Sequence, residues 1–135
     1  MENLIKYMLN YAFDHGISYA LLDQIDPDYP SVSFTDIGRM VINLNWKKQN
    51  EIPFMIGHEI GHFANGDKGT FYYINLSTPV EHQADLFSLN LIYKYASKQF
   101  YTFDEPGPFM QQFAIPYRLE GATYKLFQKN NDLIF

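Results

Sequence analysis

A chain of 135 residues is the size of one compact domain, and its 47% hydrophobic and 19% charged residues give the balance of a globular protein rather than a disordered one. A formal net charge of -5, with no Lys/Arg cluster longer than Lys47-Lys48, makes a surface that repels phosphate, so nucleic acid is not an expected direct partner. The absence of cysteine excludes disulfides and thiolate metal sites, leaving His, Asp and Glu as the strong metal ligands.

No apolar run approaches the length needed to cross a bilayer, so no membrane partner is expected and the expected compartment is the cytoplasm. Leu4, Ile5, Met8, Leu9 and Ala12 recur at helical spacing, and Gly16 follows His15 where a left-handed cap would sit, which predicts an opening helix with His15 at the surface. Ile17 to Leu22 and Ser31 to Phe34 are short β-prone runs separated by Asp26-Pro27-Asp28-Tyr29-Pro30. Thr35-Asp36-Ile37-Gly38 then turns the chain into Arg39 to Asn45, and together these runs predict a small, mostly antiparallel sheet. Met40 to Leu44 reads either as the edge beside a cleft, where an extended substrate could add as a strand, or as an ordinary core strand.

The segment from about residue 50 to 64 is helical by pattern, with Asn50 as N-cap, Pro53 in the first turn and Asn65-Gly66 as a stop. It contains His58-Glu59-Ile60-Gly61-His62, an HExxH motif. At about 100° per residue, His62 lies about 40° round the helix from His58 and Glu59 about 100°, so two imidazoles and a carboxylate share one sector. The histidines can bind a metal while Glu59 addresses its water. Gly61 costs a helix about 1 kcal/mol relative to Ala, which makes sense if another element packs close behind the site. The pentapeptide also arises by chance on soluble helices, so a third ligand has to decide.

HExxHxxGxxH would need glycine and histidine where this chain has Asn65 and Lys68, and a cysteine ligand is not available, which leaves a glutamate from a later helix. Thr78-Pro79-Val80-Glu81 opens a second helix, about 79 to 98, with Glu81 and Asp85 one turn apart. Glu81 is the candidate third ligand, and Asp85 can accept the free ring N–H of a liganding histidine and fix its tautomer. The alternative is that Thr78-x-x-Glu81 is also a capping box, in which the glutamate merely reaches back to the N-cap amide. His82 points about 100° away from Glu81 and is assigned to no metal. Further on, Phe109 to Phe127 has the outline of a helix-turn-helix with its turn at Ile115-Pro116, but the acidic charge balance speaks against direct DNA binding.

Phe54-Met55-Ile56-Gly57-His58-Glu59-Ile60-Gly61-His62, followed by Glu81-x-x-Ala84-Asp85-x-Phe87, resembles the ImmA/IrrE family of metallo-endopeptidases over about residues 38 to 93. Val41-Ile42-Asn43-Leu44-Asn45 matches the strand that precedes the family's HExxH helix, and Phe113 to Leu119 is similar to its C-terminal helical segment. The sequence departs from the family at Gln83, where a second acid is frequent, at Asp85, where Asn is common, and in lacking a proline after Leu91-Ile92-Tyr93. The resemblance implies an α+β, zincin-like fold in which the small sheet packs on the HExxH helix and a second ligand-bearing helix. It also implies a gluzincin-like protease that cleaves a helix-turn-helix repressor of a prophage or mobile element.

The expectation is therefore a single zincin-like domain over residues 1–135, a bare catalytic unit holding Zn2+ through His58, His62 and Glu81. Zinc would lower the pKa of its water, Glu59 would take the proton, and the hydroxide would attack a polarised carbonyl before Glu59 protonates the leaving amine. No histidine follows His82, so the oxyanion would fall to a tyrosine or arginine, for which Tyr72, Tyr73, Tyr117 and Arg118 are the candidates. The rival reading is a zinc-stabilised antirepressor that inactivates its partner by binding alone.

Overall fold

The computed structural model describes residues 1–99 and 103–132, with the side chains of 131 and 132 left aside. In chain order it runs α1 (Glu2–Asp14), β1 (Ser18–Leu22), β2 (Val32–Phe34), β3 (Arg39–Asn43), α2 (Ile52–Ala64), β4 (Thr70–Tyr72), α3 (Pro79–Lys98), α4 (Pro106–Gln112) and α5 (Glu120–Asp132). The architecture is α+β, as expected. Helix α1 buries Leu4, Met8 and Ala12, one residue per turn on one stripe, and the chain leaves it through Gly16 at φ +73°.

The sheet has the order β1-β3-β2-β4 and is mostly antiparallel, as expected, with one parallel pairing that makes it mixed. Strand β1 lies parallel to β3, with Ser18 opposite Arg39 and Leu22 opposite Asn43, whereas β2 is antiparallel to both β3 and β4. The connection from β1 carries the chain past a free strand position, and β3 returns to fill it, so sequence neighbours β1 and β2 never pair. Strand β3 is consequently an interior strand and not the edge considered above. It buries Met40 and Ile42 completely beneath the helices. The edges are β1 and the short β4, and β4 went unpredicted because its three residues are held by pairing with β2 rather than by a pattern of their own.

Helix α2 starts later than predicted. Gln49–Glu51 forms a 3-10 turn and Glu51 occupies the cap position without a side-chain cap, so Asn50 is not the N-cap. Pro53 sets this start, since its fixed φ and missing N–H suit a first turn whose amides have no helical partner. Every residue from Ile52 to His62 is buried, making α2 the central helix, covered all round.

Helix α3 crosses α2 at a seam of small residues. A Cβ on Gly57 would overlap Ser88 Oγ, and one on Gly61 would lie 2.9 Å from the Ala84 carbonyl oxygen and 3.0 Å from its Cα. Gly61 thus serves the close packing that its place in the motif suggested. Gly61→Ala is expected to destabilise the fold by about 1–3 kcal/mol, because backbone contact outweighs the better helix propensity of alanine, about 1 kcal/mol. Urea unfolding checks this, and a stabilised variant would contradict the seam.

Helices α4 and α5 cover the far end of α3, where the Tyr93 ring lies 5.8 Å from that of Phe109 and 5.4 Å from that of Phe127. The helix-turn-helix outline is thus filled by a packed aromatic cluster. Among the described residues no helix is long and apolar enough to cross a membrane.

Candidate metal centre

His58 and His62 lie on the face of α2 that meets the N-terminal turn of α3, Glu59 is bonded toward strand β2, and all three are completely buried. His58 Nε2 lies 2.9 Å and His62 Nε2 3.2 Å from the same atom, Glu81 Oε1. One donor atom from each of the three residues falls within 4.8 Å of the others. The capping alternative is met only in half: Thr78 Oγ1 accepts the Glu81 backbone N–H at 3.3 Å, while the Glu81 carboxylate turns to the histidines.

The far nitrogen of each ring is also held. His58 Nδ1 donates to Asp85 Oδ1 at 2.7 Å, the contact anticipated from the one-turn spacing of Glu81 and Asp85. His62 Nδ1 donates to Asp67 Oδ2 at 2.9 Å, and the His62 ring stacks on Phe71 of β4 with centroids 4.3 Å apart. Both rings therefore present Nε2 to the common point. Asp67 was missed because it sits beyond the helix, in a turn closed by its own N–H on the His62 carbonyl at 3.0 Å, where helical spacing says nothing.

Glu59 is gripped from the sheet. Ser33 Oγ on β2 shares its hydrogen between Glu59 Oε1 at 2.7 Å and the Glu59 carbonyl at 3.1 Å. Glu59 Oε2 is buried without a partner among the described residues. A lone serine in a short strand carries no sequence signal, so Ser33 also escaped prediction.

Charge explains the titration. Burial pushes the His58 imidazole down, but hydrogen bonds to Asp85 and Glu81 outweigh it and raise the ring to about 9. His62 is likewise raised, with burial opposed by Glu81 and Asp67. Burial would raise Glu81, yet the two histidines hold it at about 2. Burial lifts Glu59 to about 7, against the opposing pull of His58 and the Ser33 hydroxyl. The group calls for positive charge, which protons or a divalent cation can supply.

The donor set fits zinc. Two imidazoles with secured Nδ1–H groups and one carboxylate form an N/N/O set, and bonds of about 2.0–2.1 Å would separate ligand atoms by about 3.3 Å. The N–O distances of 2.9 and 3.2 Å are close to that spacing. Glu59 Oε2, buried and unpartnered, has the character expected of an acceptor for a water at such a centre.

Because His58 is raised to about 9, it is protonated at pH 7, and zinc must displace that proton. Binding is therefore expected to release protons at pH 7 and to weaken as pH falls, measured by calorimetry in buffers of different ionisation enthalpy. For the metal-free chain the sign is opposite. The His58 contribution to stability is complete below 6.5 and is lost as pH rises through about 9.

The oxyanion candidates separate. Tyr73 is buried, edge-on to the His58 ring at 5.1 Å, and burial drives its hydroxyl well above the usual tyrosine range. Arg118 spends its fork on Asp85, with Nε donating to Oδ2 at 2.8 Å and Nη2 to Oδ1 at 3.1 Å. Tyr72 lines a shallow groove with Phe71, Ile74, Val80 and Glu81. Tyr117 is 79% exposed. His15, stacked on Tyr11, and His82 are both exposed and lie outside the ligand group. Compared with known proteins, the chain matches no family model, no curated protein and no solved structure.

Proposed function

We propose that this chain is a zinc-dependent endopeptidase of the zincin-like, gluzincin type, with His58, His62 and Glu81 as ligands and Glu59 as general base. The observation that carries the reading is Glu59 Oε2, a buried carboxylate oxygen without a partner beside a convergent N/N/O donor set. Such an atom costs about 1–3 kcal/mol of stability, and a site that only cross-braced the fold would have no use for it. The resemblance to the ImmA/IrrE family extends the proposal to the substrate, a helix-turn-helix repressor of a prophage or mobile element.

Zinc, when bound, supplies a Lewis acid that polarises a peptide carbonyl and makes nearby water more acidic. Glu59, raised to about 7, is tuned to take a proton from the attacking water and return it to the leaving amine near neutral pH. Ser33 holds Oε1 so that Oε2 faces the reaction. Asp85 and Asp67 orient the imidazoles. The sheet edge beside the ligands is β4, tied to His62 through Phe71, so an extended substrate segment would pair there rather than on β3.

The test is the intact mass of the helix-turn-helix repressor encoded nearest this gene after co-expression with the protein. Fragments are expected; a repressor silenced but intact would favour inactivation by binding, and one both intact and active would remove it as the substrate.

A further inference from the structure

Arg118 lies far along the chain from the helices that carry the ligands, in the 3-10 turn Tyr117–Leu119 between α4 and α5. It nevertheless ends one residue away from the metal ligands. Asp85 Oδ1, which accepts from Arg118 Nη2 at 3.1 Å, is the same atom that accepts from His58 Nδ1 at 2.7 Å. Arg118 Nε takes the second carboxylate oxygen at 2.8 Å. The Asp85 side chain is 1% exposed and that of Arg118 is 36% exposed, so the guanidinium reaches the carboxylate from the solvent side. The rest of the guanidinium is placed as well: Nη2 lies 3.5 Å from the Tyr73 hydroxyl, and the Phe54 ring sits 5.9 Å from its central carbon.

We propose that Arg118 is a positioning residue for the metal centre, a planar clamp that orients the Asp85 carboxylate and through it the His58 imidazole. The segment joining α4 and α5 then helps to set how tightly the site holds a divalent cation. This inference rests on the metal reading of His58, His62 and Glu81 and is independent of whether the chain is a peptidase.

The physical need comes from the softness of a carboxylate torsion. The terminal bond of an aspartate rotates in a broad well, so a single hydrogen bond to His58 leaves the carboxylate plane loosely defined. A bidentate guanidinium fixes that plane, because two parallel N–H donors meet both oxygens at once. With Oδ1 fixed, the His58 Nδ1–H has one direction in which to point, and Nε2 is aimed at the position shared with His62 and Glu81. A lysine would bring the charge without the planar fork.

The experiment measures the zinc dissociation constant at fixed pH, by competition with a chromophoric chelator. It compares the wild type with Arg118→Lys, Arg118→Gln, Asp85→Asn and the Asp85→Asn/Arg118→Gln double variant. Arg118→Gln is expected to weaken zinc binding about 10–100-fold, the scale set by outer-shell partners, and Arg118→Lys by an intermediate factor. In the Asp85→Asn background the same Arg118→Gln change is expected to cost nothing further, since it acts through Asp85. An unchanged affinity in Arg118→Gln, or the same loss in both backgrounds, overturns the clamp. Should Arg118→Gln fail to fold, Arg118→Lys decides alone, and wild-type affinity in it overturns the planar role. A wild type that binds no zinc overturns the metal reading and the clamp with it, which separates the two failures.

Discussion

Glu59→Gln is expected to abolish cleavage while leaving the metal in place. Loss of a positioned general base costs about 100- to 10,000-fold, and glutamine keeps the size of the side chain without its basicity. The proposed ligands are His58, His62 and Glu81, so zinc content measured on the purified variant should match the wild type. The variant should also lose less stability than the wild type as pH rises through about 7. Burial raises the Glu59 carboxyl to about 7, so its contribution is complete below 4.5 and lost as pH rises through about 7, a loss that a neutral glutamine does not suffer. The decisive readout is the mass of the repressor with each protein. Cleavage by Glu59→Gln at the wild-type rate would remove Glu59 as the base, and equal silencing of an intact repressor by both would identify a binder.

Glu81→Ala is expected to empty the centre. It removes the oxygen that lies 2.9 Å from His58 Nε2 and 3.2 Å from His62 Nε2, and with it the anion that faces both rings. The loss of zinc affinity should exceed the 100-fold or so that losing an outer-shell partner brings, so the variant should purify without zinc. The helix cap should survive, because Thr78 Oγ1 bonds the Glu81 backbone N–H and not its side chain. Added zinc should therefore raise the melting temperature of the wild type and leave the variant unmoved, since stabilisation by a ligand follows its affinity for the folded state. Full zinc occupancy in Glu81→Ala would show that the carboxylate is not a ligand.

The sequence by itself determined the parts of this site that lie on single helices. The period of an α-helix brings His58, Glu59 and His62 to one sector, and places Asp85 one turn beyond Glu81, whatever the rest of the chain does. Gly61 could be read as a point of close approach for the same reason, since a glycine amid helix formers needs a packing partner. The strands around β1 to β3 were also visible, because β-branched and apolar residues bounded by turn signals mark them.

Only the tertiary structure decided how those elements meet. The parallel pairing of β1 with β3, and the placing of β3 inside the sheet rather than at its edge, depend on where the connections cross, and strand composition is blind to that. Asn50 has the chemistry of a cap, yet Pro53 sets the start of α2 and leaves Asn50 in the preceding turn. For Glu81 the sequence favoured a ligand while leaving a cap open, because both need a carboxylate in the first turn of α3; the approach of α2 turns that carboxylate toward the histidines. Ser33, Asp67 and Arg118 reach the site from a strand, a turn and a distant segment. Ser33 and Arg118 have partners across the fold, and Asp67 meets His62 in the turn that ends α2, so no helix or strand periodicity could announce these contacts.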